Sequence, residues 1–162
     1  MDGTLSIQGD LNVLSQLAVK IDEWFPGALE ASVQSNSWGG WTVDRMALLL
    51  ERVHPWQLLL VSFLARGGGR QPDVEVRRRF TIEGSGLKGQ TGAISKHIVG
   101  MKKSGLLPED ASWVVQVDRS GATPVFVTPA ELVPIVQSTL ELPQVQRALD
   151  GARLKMNLNE RE

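Results

Sequence analysis

Residues 91–128 constrain the fold of this chain more than any other segment. The segment opens with TGAISKHIVGMKKSGLL, in which three large apolar residues recur at helical spacing: Ile94, Ile98 and Met101. We predict a one-sided helix that begins after a cap at Thr91 and ends at Gly105. WVVQV and TPVFV then alternate around the turn residues DRSGA, which predicts a β-hairpin over residues 113–128. A helix followed so closely by a hairpin indicates an α+β domain.

The outer side of the predicted helix is basic, and so is the chain around it. Lys96, Val99 and Lys103 fall opposite the apolar stripe. The whole chain has 17 basic and 18 acidic residues, but residues 65–103 carry nine basic against three acidic, a net charge of +6. Such a local excess of positive charge, in a protein whose net charge is close to zero, is typical of a surface that binds the phosphate groups of a nucleic acid. The alternative is an ordinary solvated charged surface.

The segment before residue 43 predicts a small β-α-β extension over residues 1–36 and then a corner. TLSIQ and LEASVQS alternate as strands do, and Asp10 is placed to cap a helix over Leu11–Trp24. NSWGGW follows as a linker or corner, whose two tryptophans we expect to pack onto the domain.

Two helices and a short third one are predicted between this corner and residue 80. Thr42 caps a helix to Val53, and Pro55 opens the next helix, Trp56–Arg66, which is apolar on most sides and therefore buried. PDVEVRRRF predicts a short helix with Val74 and Phe80 inward and its three arginines outward.

Two more helices are predicted after the hairpin. Pro129 opens one that runs to about Leu140, and Pro143 opens the last one. These boundaries give three parts: the extension 1–36, a domain over 37–140, and a C-terminal helix and tail over 141–162.

AISKHIVGMKKSGLL resembles the recognition helix of winged-helix transcriptional regulators of the MarR and ArsR kind. The shared order is a hydroxyl residue, a basic or histidine position, a leucine-like core residue and a terminal Gly-Leu, here Ser95, Lys96-His97, Met101 and Gly105-Leu106. VDRSGATPVFVTPAEL resembles the MarR-type wing. The resemblance implies a winged helix-turn-helix domain of α+β class, with the N-terminal β-α-β extension and C-terminal helices added to it.

This chain also departs from those families. The approach GSGLKGQTG is longer than a tight helix-turn-helix turn, and Gly92 and Ala93 place almost no side chain where base edges are usually met. The acidic β-α-β start differs from the helical dimer arm of MarR-type proteins.

The function implied by the resemblance is DNA-binding transcription regulation by a homodimer. The Thr91–Ser104 helix would lie in the major groove, and the 113–128 hairpin would contact the backbone or the minor groove. The predicted DNA contacts are Arg77, Arg78, Arg79, Lys88, Thr91, Ser95, Lys96, Val99, Lys102, Lys103 and Arg119. The alternative is a winged-helix module that binds proteins and not DNA, since a fold does not decide a function.

Enzyme functions are disfavoured. GSGLKG at Gly84–Gly89 matches the dinucleotide-binding pattern G-x-G-x-x-G. The strand before it would carry three arginines where a buried apolar strand is needed, so we reject that assignment. No catalytic constellation is recognisable, and we predict neither a cofactor nor a metal site, because the two histidines have no carboxylate at ligand spacing.

The lack of cysteine and the lack of a long apolar run in the sequence predict the cellular environment. The chain has no cysteine, which excludes disulfides and favours a reducing compartment such as the cytoplasm. No apolar run reaches membrane-spanning length, so we expect no membrane partner.

Overall fold

The computed structural model describes residues 11–26, 37–80 and 90–156. The chain divides into two compact units, Met1–Ser35 and Asn36–Glu162. In the first unit, α1 spans Leu11–Trp24, as predicted. The predicted strands of the β-α-β extension lie outside the described residues. No helix within the described ranges combines the length and apolar character needed to cross a membrane.

The second unit is of α+β class, with helices and two small antiparallel sheets. Its elements are β1 (Ser37–Trp38), β2 (Trp41–Thr42), α2 (Val43–Arg52), α3 (Pro55–Arg66), β3 (Arg70–Pro72), α4 (Asp73–Phe80), α5 (Gln90–Lys103), β4 (Gln116–Asp118), β5 (Val125–Val127), α6 (Val133–Leu140) and α7 (Pro143–Lys155).

The segment predicted as a corner is a two-stranded hairpin. β1 and β2 pair antiparallel, with Trp38 opposite Trp41. Gly39 and Gly40 form the turn with φ values of 54° and 81°. A two-residue hairpin turn with both central residues at positive φ favours glycine, because side chains are strained there. Trp41 is fully buried, which confirms that it packs onto the domain.

The core is built by helices packed around α3. α3 contacts α6 and α7, and α2 packs against α6. Thr42 caps α2 as predicted, since its hydroxyl accepts a hydrogen bond from the Arg45 amide at 3.2 Å. Pro55 opens α3, and nine of the twelve α3 residues are buried, which agrees with the predicted all-round apolar helix.

α4 differs from the prediction in its inward residues. Val74 is 56% exposed, so its predicted inward position is wrong. Phe80 is buried, as predicted, and Val76 is the second inward residue, because residues four apart share one side of a helix. The Phe80 ring lies between two rings of α3, with its centroid 5.3 Å from that of Trp56 and 5.8 Å from that of Phe63.

The second sheet has three strands in the order β3-β5-β4. The predicted hairpin is present but shorter, with Val117 opposite Phe126 at its centre. β4 begins only at Gln116, since the chain bends at Val114 before the strand starts. Val114 and Val115 are both buried. β3, which was not predicted, pairs with β5 through Gln71 opposite Phe126.

The C-terminal helices belong to the same core. α6 begins at Val133 and not at Pro129, because residues 129–132 form a turn in which the Leu132 amide donates to the Pro129 carbonyl at 2.9 Å. α7 inserts Val145 and Leu149, both fully buried, into the cluster formed by the other helices. The sequence prediction set residues 141–162 apart, whereas the compact unit runs continuously from Asn36.

Candidate nucleic-acid interface

α5 is held in the domain by one apolar side. Ile94, Ile98 and Met101 are each 1% exposed, which confirms the inward stripe read from the sequence. α5 packs with this side against α2 and α3. The helix begins at Gln90, so Thr91 lies in its first turn and is not the residue before it. The predicted capping role of Thr91 is therefore wrong, because the position before the helix lies two residues earlier.

The C-terminal end of α5 follows from Gly105, as predicted. Gly105 adopts a φ of 72°, and its amide donates to the Lys102 carbonyl at 3.1 Å. The Leu106 amide donates to the Met101 carbonyl at 2.9 Å. These two bonds form a Schellman motif, which satisfies carbonyls that the end of the helix leaves free. Leu107 then enters the core.

The opposite side of α5 faces solvent. Lys96 and Lys103 are exposed, and neither forms an ion pair with a described residue. Val99 lies between them with 37% of its surface exposed. At Gly92 and Gly100, an added Cβ would meet no atom within 4 Å. This side of α5 is therefore shallow and carries two ammonium groups that are not paired with any carboxylate in the described part of the chain.

Ser95 lies at the edge of this exposed side. Its hydroxyl donates to the Thr91 carbonyl at 3.1 Å, one helical turn earlier. This bond uses the only hydroxyl proton, so Ser95 keeps the capacity to accept a hydrogen bond but has no further proton to donate while the bond is formed.

The three arginines of α4 differ in what they contact. Arg77 forms an ion pair with Asp73 at 2.5 Å, and Arg78 forms one with Glu75, also at 2.5 Å. Arg79 is exposed and has no ion pair with a described residue. Two of the nine basic side chains counted over residues 65–103 are thus paired within α4 itself. Surface pairs of this kind are weak and exchange readily for other anions.

Lys102 differs from the other two lysines of α5, Lys96 and Lys103, in its contacts. Its ammonium donates to the Ala111 carbonyl at 2.7 Å and lies 4.9 Å from the centroid of the Trp113 ring. The side chain is half-buried, whereas Lys96 and Lys103 are exposed. Lys102 therefore connects α5 to the segment that follows it.

The loop of the β4–β5 hairpin spans residues 119–124, with Arg119 exposed at its start and not at its tip. Asp118 anchors the loop by accepting hydrogen bonds from the Ser120 hydroxyl at 2.6 Å and the Ser120 amide at 3.0 Å. Arg70 of β3 donates to the same carboxylate at 3.1 Å. The Ser120 bonds, followed by that of Arg70, lower the pKa of Asp118 to about 2.

The structure thus distributes the predicted contact residues over three elements. Lys96, Val99 and Lys103 share the exposed side of α5, the arginines lie on α4, and Arg119 follows β4. Lys88 lies outside the described residues. Sequence reasoning missed the ion pair of Arg70, because no local pattern relates it to a residue 48 positions away.

No three His, Asp or Glu side chains in the described part of the chain lie together in a way that could hold a metal ion. Comparison of the chain with known proteins finds no matching family model, no matching curated protein and no matching solved structure.

Proposed function

We propose that α3 to β5 form a winged helix-turn-helix domain. The supporting order is helix, strand, two helices and a two-stranded hairpin, with the first strand added to the hairpin as β3-β5-β4. In a helix-turn-helix domain, the last helix before the hairpin is the one that enters the groove. Here that helix is α5, whose outer side is open to solvent.

The function that this arrangement supports best is DNA binding, as in a transcription regulator. The observation that carries it is the exposed side of α5, where Lys96 and Lys103 stand about two turns apart with no ion pair to a described residue. Their ammonium groups would contact phosphates on the walls of the major groove and release counterions. Arg119, exposed at the start of the hairpin loop, would contact the backbone or the minor groove.

The exposed residues of α5 favour backbone contacts over base contacts. The side chain between the two lysines is Val99, which can touch a thymine methyl group but forms no hydrogen bond. The open surface at Gly92 and Gly100 would let the helix lie close to its partner. We therefore propose that sequence discrimination by this helix is modest.

The test is fluorescence anisotropy with a random-sequence duplex, titrated across salt concentrations. We expect binding that weakens steeply with salt. The slope of log K against log salt is negative. In the double variant Lys96→Ala/Lys103→Ala it should become shallower by about 1.8, since each lost phosphate contact removes about 0.9. Arg147→Ala, which removes an exposed cation of α7, is the matched control and should leave the slope unchanged.

A second candidate function is a protein-binding module built on the same fold. The exposed apolar side chains favour it: Val74 is 56%, Val99 37% and Trp113 39% exposed. Two of the arginines predicted to contact DNA, Arg77 and Arg78, are also already paired with carboxylates of α4. If the unmodified chain does not bind duplex DNA at low salt, this second function is favoured and a partner protein should be sought.

We also propose a homodimer, because a single helix-turn-helix unit contacts only one half-site. We propose a cytoplasmic location as well. Sedimentation equilibrium across a range of protein concentrations would measure the mass directly, and a monomer at every concentration would contradict the dimer.

A further inference from the structure

The segment between α5 and β4 is held by α5 itself. Lys102, in the last turn of α5, donates to the Ala111 carbonyl at 2.7 Å. Its ammonium also lies 4.9 Å from the centre of the Trp113 ring, within the range of a cation–π contact. One lysine thus contacts two residues of the segment that leads from α5 to the hairpin.

The β1–β2 hairpin holds the same segment from another direction. The Trp41 indole donates to the Ser112 carbonyl at 2.8 Å, and the Ser112 amide donates to the Gly39 carbonyl at 2.9 Å. The fit is close, because a Cβ added to Gly39 would lie 2.3 Å from the Ser112 hydroxyl oxygen. Ala111 and Ser112 are therefore positioned by α5 and by the β1–β2 hairpin together.

We propose that Lys102 is a positioning residue for the α5 surface and not one of its phosphate ligands. The proposal rests on the proposed DNA binding. If α5 and the β4–β5 hairpin are to contact one duplex together, the segment 104–115 between them sets their relative orientation. Lys102 and Trp41 fix this segment, so their loss would misplace one of the two contact elements without removing a phosphate contact.

The salt dependence of binding separates a positioning residue from a phosphate ligand. Lys102→Ala should weaken DNA binding about fivefold, the equivalent of one net hydrogen bond, and leave the salt slope close to that of the unmodified chain. Lys103→Ala changes the neighbouring exposed lysine and should make the negative slope shallower by about 0.9. Lys102→Gln carries an uncharged amide donor and should recover part of the lost affinity, again with an unchanged slope.

A second measurement does not depend on DNA. Hydrogen exchange of the amides in residues 109–113 should become faster in Lys102→Ala and stay unchanged in Lys103→Ala. Trp41→Phe, which removes the indole N–H and keeps an aromatic ring, should also speed exchange at Ser112. Thermal unfolding of each variant shows whether the fold is retained.

The outcomes distinguish the two proposals. If Lys102→Gln weakens the salt dependence of binding as much as Lys103→Ala does, Lys102 is a phosphate ligand and the positioning role is overturned. Unchanged exchange in Lys102→Ala also overturns it. If the unmodified chain does not bind DNA, the proposed function fails. The role of Lys102 in DNA affinity then fails as well, even where the amide exchange of residues 109–113 still depends on Lys102.

Discussion

At the start of the hairpin loop, the Asp118 carboxylate accepts two hydrogen bonds from Ser120 and one from Arg70. The Ser120 pair closes a short Asx-type turn, in which an aspartate bonds the backbone two residues further on. All of these bonds favour the charged carboxylate, so protonation of Asp118 must weaken them. The conformation around Arg119 therefore depends on one ionised side chain.

We expect Asp118 to titrate with a pKa of about 2, below its ordinary value of 3.8. Because the folded pKa is lowered, Asp118 stabilises the folded chain above about pH 3.8, and this contribution is lost as the pH falls toward 2. The carboxyl carbon signal of Asp118, followed by NMR, measures the pKa directly.

Two variants rank the causes of this shift. Ser120→Ala removes the hydroxyl bond, which is the largest cause, and should raise the Asp118 pKa more than Arg70→Gln does. An Asp118 pKa near 3.8 in the unmodified chain would contradict the hydrogen bonds described here.

At the scale of elements, α5 has two sides with different energetic roles. Ile98→Ala should destabilise the fold by about 2–5 kcal/mol, because it leaves a cavity among buried side chains. Val99→Ala, one position along, removes apolar surface that is 37% exposed and should change the stability by less than about 1 kcal/mol. Denaturant unfolding of both variants measures the difference. Equal losses would mean that α5 is rotated from the orientation described here.

The elements also differ in how far their sequences predict them. α3 could be predicted because Pro55 marks its start and a long apolar run follows. β3 could not, since Arg-Gln-Pro has no apolar alternation and becomes a strand only by pairing with β5. Backbone contacts at both ends support that pairing: the Thr128 amide donates to the Gly69 carbonyl at 2.7 Å, and the Asp73 amide to the Pro124 carbonyl at 2.9 Å.

At the scale of the whole molecule, the two compact units differ in burial. None of the α1 side chains that the structure describes is fully buried, and Val13, Val19 and Trp24 are more than half exposed. α3, in contrast, is almost entirely buried. A unit of 35 residues without cysteine is also below the size at which a core alone usually suffices.

We therefore expect the amides of α1 to exchange with solvent at least about 100-fold faster than those of residues 58–64 in α3, because local opening is easiest where little is buried. Hydrogen-exchange mass spectrometry at several protein concentrations measures both. Protection of α1 equal to that of α3, and rising with concentration, would indicate instead that a second copy covers α1.

The sequence alone was sufficient for features that depend on neighbouring residues. These include the apolar stripe of α5, its end at Gly105 and the cap at Thr42, because helix periodicity and capping act within a few positions along the chain. Other features depend on residues that meet only after the chain has folded. The Arg70–Asp118 ion pair spans 48 positions, and the Trp41–Ser112 hydrogen bond spans 71. Lys102 looks like its neighbour Lys103 in the sequence, and only the position of Ala111 and Trp113 beside it distinguishes the two.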